Sequence, residues 1–127
     1  MLKGNKKLRR ITGITKTQER RIKDFLQGAV YAWCNSNKTE PKPFFCRDLI
    51  GGDNSPWDHT PLQALCDNHR KAGKSPQKIR EEAGKDAGKL LKAVLDDDKN
   101  KCFDQEKKTE GGKEISRYRL IPGGDGD

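Results

Sequence analysis

Three lysines, Lys85, Lys89 and Lys92, stand four and three residues apart, so on a helix they line one face and offer ammonium groups to a polyanion. Leu90, Leu91, Val94 and Leu95 fall on the other side of the same segment. A helix apolar on one face and cationic on the other suits the major groove of duplex DNA, where lysine meets phosphate more readily than it reads bases. A solvated lysine face is the plain alternative. Cys66-x-x-His69 has metal-ligand spacing, and Cys34, Cys46, His59 and Cys102 are the remaining candidate donors. Zinc modules usually present two close pairs, and this chain has one, so buried thiols are expected and no metal or other cofactor is predicted. Glu81, Glu82 and Asp86 beside Lys85 are explained by their helical neighbours. Asp96-Asp97-Asp98 is expected to be a solvated helix end, although acids at a helix C-terminus cost roughly a few tenths of a kcal/mol. No cysteine–histidine pair has an orienting third group, and no phosphate-binding glycine loop occurs. The chain is predicted not to be an enzyme.

Several elements must position these residues. Ile22, Phe25, Leu26, Ala29, Val30 and Trp33 recur at steps of three and four, which predicts a helix begun by a Thr15/Gln18 capping box and stopped at Asn35-Ser36-Asn37. Pro41 and Pro43 bracket a linker. Phe44, Phe45, Cys46, Leu49 and Ile50 suggest one or two helical turns, followed by a loop at residues 51–56 and Trp57 lying back on the core. A helix is expected from Thr60-Pro61 to about Lys71, ended by Ala72-Gly73. Ser75-Pro76 starts a short helix with Ile79 and Ala83 inward; Gly84-Lys85 breaks it and Asp86 caps the next. Gly88, inside that helix, is assigned to close packing against a neighbour. From Cys102-Phe103 the pattern becomes strand-like, and Gly111-Gly112 before Ile115–Ile121 predicts a hairpin.

With 127 residues, 31% of them hydrophobic, the chain has room for one lean domain. The expected division is a flexible basic arm at 1–14, a domain at 15–121 and a disordered tail at 122–127. Lysine and arginine number 27 against 19 acids, a formal charge of +8. The excess is concentrated at the front, where residues 1–40 hold 10 basic and 3 acidic side chains. Such asymmetry points to nucleic acid, with solubility as the alternative. No apolar run approaches the ~20 residues that cross a bilayer, and Met1–Arg10 lacks the apolar stretch of a secretory signal. No membrane partner and a cytoplasmic location, with reduced cysteines, are therefore expected.

The order of helices, turn, helix and glycine-tipped hairpin resembles the winged helix-turn-helix superfamily. The likeness rests on Ser75 to Leu95, with Ala83-Gly84-Lys85-Asp86 as its turn, and on Phe103 and Gly111-Gly112 leading to Tyr118-Arg119-Leu120. It spans roughly residues 17–121, and the segment from Lys38 to Gly73 is longer than the pattern needs. The resemblance implies a mostly α domain with a small β-hairpin (α+β), binding double-stranded DNA in a regulatory or accessory role, as a transcription factor or a phage or mobile-element protein. It also implies wing contacts by Lys107, Lys108 and Lys113, with Arg117 and Arg119 on the second strand. Arm residues Lys3, Lys6, Lys7, Arg9 and Arg10 would track a groove. The rival is a protein-interaction module of the same shape, for which Phe44, Phe45 and Trp57 would form an exposed apolar patch. RNA binding would need more stacking aromatics than Tyr118 and Phe103.

Overall fold

The computed structural model describes residues 1–3, 8–51 and 57–122. Helix α1 spans Lys16–Ser36 and buries Ile22, Leu26, Val30 and Cys34, a stripe at steps of four. Its start is the expected capping box: Thr15 Oγ1 accepts from Gln18 N at 3.0 Å, and Gln18 Oε1 accepts from Thr15 N at 2.9 Å. The helix closes on Asn37, whose amide group donates to the Trp33 carbonyl at 2.8 Å.

The apolar segment after the prolines divides in two. Phe44–Phe45 is a short strand, β1, and only Cys46–Ile50 is helical, α2. Phe44 is fully buried, edge-on to Phe103 at 6.4 Å and tilted against Tyr118 at 6.0 Å. The exposed patch expected of Phe44, Phe45 and Trp57 is therefore absent. Phe44 is core, Trp57 packs against the core and donates its indole N–H to the Ile50 carbonyl, and Arg47 covers the Phe45 ring. Helix α3 spans Gln63–Lys71 and leads through residues 72–75, with Gly73 at φ 76°, into the next helix.

That helix, α4, is continuous from Pro76 to Asp97, so the break expected at Gly84-Lys85 does not occur. Ser75 caps it as expected, accepting from Lys78 N. A lone helical glycine costs only about 1 kcal/mol. The buried row Ile79, Ala83, Ala87, Leu90, Leu91, Val94 and Leu95 runs through the break and outweighs it. Asp86 caps nothing, because its carboxylate is committed to His69 of α3 at 2.7 Å. Gly88 has open space where a Cβ would sit, so close packing does not explain it.

The acidic end of α4 has a structural reason that the sequence hides. Asp98 lies outside the helix and is buried. Its Oδ1 accepts from Asn100 N and Lys101 N, while Oδ2 accepts from the Tyr31 hydroxyl at 2.9 Å. The side chain thus folds the loop into the hairpin and ties it to α1.

Strands β2 (Phe103–Glu110) and β3 (Lys113–Leu120) pair antiparallel, and the sheet order is β1-β3-β2. Gly111 and Gly112 form the tip at φ 55° and 78°, a two-residue turn that needs left-handed backbone at both positions. Leu2 is 1% exposed, sits in the core, and bridges in parallel to Phe103. Ile11 and Ile14 pack on the core as well, and Asn68 of α3 donates to the Thr12 carbonyl. Residues at both described ends of the front segment thus contact the rest of the domain. The architecture of the described residues is α+β, four helices with a small three-stranded antiparallel sheet. No helix among the described residues is long and apolar enough to cross a membrane.

Candidate nucleic-acid interface

The leucine row turns inward, which leaves Lys85, Lys89 and Lys92 along the outer face of α4. The face is not uniformly cationic. Lys78 meets Glu81 at 4.0 Å, Lys85 meets Glu82 at 3.9 Å, and Lys89 meets Asp86 at 3.6 Å. The first two are solvent-facing pairs that contribute about 0–1 kcal/mol and exchange readily for other partners, whereas Asp86 is buried.

Lys92 differs from its neighbours. Its ammonium is held below the usual lysine range, first by burial and then by the positive charges of Lys107 and Arg9, with Asp96 acting in the opposite sense. Arg9 from the front segment, Lys92 from α4 and Lys107 from the hairpin therefore lie within one another's electrostatic reach, and Lys107 also meets Glu114 at 3.7 Å. Strand alternation explains the presence of Lys107. Phe103, Gln105 and Lys107 point to the side of the sheet that carries the core, and Phe103 is fully buried there.

The same alternation sends Lys108, Lys113, Arg117 and Arg119 to the opposite side of the hairpin, away from Lys107. On that side they are interleaved with acids. Arg117 and Lys108 both pair with Glu106, whose carboxyl they hold below the usual range, and Arg119 stands opposite Asp104. Arg47 of α2 grips Glu110 through both guanidinium nitrogens, at 2.8 and 3.0 Å, while stacking over Phe45 at 4.6 Å. That fork braces the hairpin beside its tip and depresses the Glu110 carboxyl. Sequence spacing gave no sign of it, since the partners are 63 residues apart. Arg10 is exposed beside Arg9, and Lys3 is exposed where its backbone joins Phe103. Lys6 and Lys7 lie outside the described residues.

His69 is a tie between helices. Its Nε2 meets Asp86 Oδ2 at 2.7 Å and its Nδ1 meets Lys74 Nζ at 2.8 Å, so both ring nitrogens are engaged. Burial raises the Cys66 thiol and pushes Cys46 up to about 12, which keeps both protonated and poor as ligands. Among the described residues no group of three His, Cys, Asp or Glu side chains is arranged to hold a metal ion.

No protein-family model, no curated protein and no solved structure matches this chain.

Proposed function

We propose that the chain is a DNA-binding domain of winged-helix type that grips duplex DNA mainly through phosphate. The observation that carries the reading is the convergence of Arg9, Lys92 and Lys107 on one field. Glu114 and Asp96 offset part of these like charges, and a phosphate that displaces them binds with counterion release. Connectivity supports the same reading. A helix, a short strand, two helices joined by a tight turn, and a hairpin in sheet order β1-β3-β2 follow the winged pattern, with α2 and the loop after it inserted. The helix-turn-helix is then α3, residues 72–75 and α4, one helix earlier than the sequence suggests. α4 becomes the groove helix and the β2–β3 hairpin the wing.

Residues 76–97 hold five cations and five carboxylates, so affinity comes from the composite site and not from α4 alone. The variant Arg9→Gln/Lys92→Gln/Lys107→Gln tests this by fluorescence anisotropy with a random duplex. Each lost phosphate contact removes about 0.9 of a decade at roughly 0.1 M salt, so three weaken binding by about 500-fold. A variant within threefold of the parent would refute the assignment. No observation favours the protein-docking alternative, since the aromatic groups it requires are in the core or covered.

A further inference from the structure

Nothing inside the described fold accounts for Gly88. It stands in the interior of α4, where glycine is less stable than alanine. Apart from its own stretch of helix backbone, no atom of the described residues lies within 4 Å of the place a Cβ would take. Gly88 comes three residues after Lys85 and four before Lys92, so all three share the outer face of the helix. Lys92 is half-buried, one turn beyond the glycine, and a phosphate must come down to the helix surface to meet it. Acids bracket the stretch, Glu81 and Glu82 before it and Asp96 after it, so a polyanion is directed to the part between Lys85 and Lys92.

We infer that Gly88 is where α4 comes closest to duplex DNA, an empty position that lets the helix backbone seat on the base edges of the major groove. This rests on the reading of α4 as the groove helix. A helix with its side chains is about 10–12 Å across and the groove about 12 Å wide, so bulk at the apex of the helix sets how deep it sits. With no side chain at Gly88 the helix goes in fully, and Lys85 and Lys92 meet phosphates from either side of the apex. A long side chain there props α4 off the groove floor and stretches both contacts. Gly28 of α1 is exposed, has the same open surroundings on a different helix, and supplies the control.

Gly88→Leu and Gly28→Leu are compared with the parent by thermal circular dichroism and by fluorescence anisotropy with a random duplex. Both variants are expected to melt at or above the parent temperature, because leucine favours helix and neither site has a neighbour. At roughly 0.1 M salt Gly88→Leu is expected to bind at least about 10-fold more weakly, the loss of one phosphate contact, while Gly28→Leu stays within about threefold of the parent. Gly88→Ala is expected to fall between the parent and the leucine variant. Parent-like affinity in Gly88→Leu, with salt-dependent binding by the parent, overturns this inference and leaves the DNA assignment standing. Equal weakening in Gly28→Leu overturns it too, since the effect would not belong to α4. A lowered melting temperature in both Gly88 variants also overturns it, because the glycine would then answer to a neighbour inside the fold. No duplex binding by the parent overturns both the inference and the assignment.

Discussion

Replacing His69 with alanine removes one half of a buried pair that joins α3 to α4. Asp86 is 6% exposed, and its Oδ2 loses a partner at 2.7 Å. Leaving a buried carboxylate without its hydrogen-bond partner costs more than the roughly 1–3 kcal/mol of a neutral group, because the charge stays desolvated. Lys89, 3.6 Å from the other oxygen, offsets part of this, so about 3 kcal/mol is expected. Asp86→Ala strands a neutral imidazole N–H instead, which costs about 1–3 kcal/mol. The double variant keeps no stranded group and is expected to cost about 2 kcal/mol less than the two singles together. Urea unfolding followed by far-UV circular dichroism gives each midpoint and slope. Against a typical stability of about 5–15 kcal/mol, all three proteins should still fold. Single costs that simply add, with coupling under about 0.5 kcal/mol, would refute the reasoning that the pair is a structural tie.

Other substitutions probe local features. Gly28→Ala and Gly88→Ala lie in helix interiors with open space at the Cβ position, so each is expected to raise stability by about 0.5–1 kcal/mol. A lower melting temperature for Gly88→Ala would reveal a close neighbour. Gly112→Ala, at φ 78°, is expected to lower stability by about 1 kcal/mol in the same melts, and no change would exclude the left-handed turn. Tyr31→Phe removes a hydrogen bond to the buried Asp98 carboxylate and is expected to cost about 1.5 kcal/mol in urea. Unaltered stability would show that Asp98 is held by its backbone donors alone.

What could be read from sequence follows from the range of the interactions. α1 and the hairpin rest on local signals: an apolar stripe with its capping box, and two adjacent glycines between alternating strands. The continuity of α4 was hidden because Gly84, Lys85 and Asp86 imitate a turn, and the partner that claims Asp86 lies 17 residues earlier. β1 is two residues long and exists only through its pairing with Tyr118 and Arg117 of β3. Leu2 resembles any lone leucine in a basic segment until Phe103 supplies its bridge. The α4 lysines were legible as one face, while the proximity of Arg9 to Lys92 needed the tertiary fold and the separation of Lys107 from Lys108 the pairing of the strands. Asp98 reads as part of an acidic run, yet it is a buried acceptor for groups from α1 and its own loop.

The most direct test of phosphate binding by the composite site is the salt dependence of duplex affinity for the parent and the Arg9/Lys92/Lys107 triple glutamine variant. Three neutralised phosphates predict a parent slope of about −2.7 or steeper in log K against log salt, between roughly 0.05 and 0.2 M. The variant slope should be shallower by about that amount. A flat parent response, or identical slopes for the two proteins, would contradict the account.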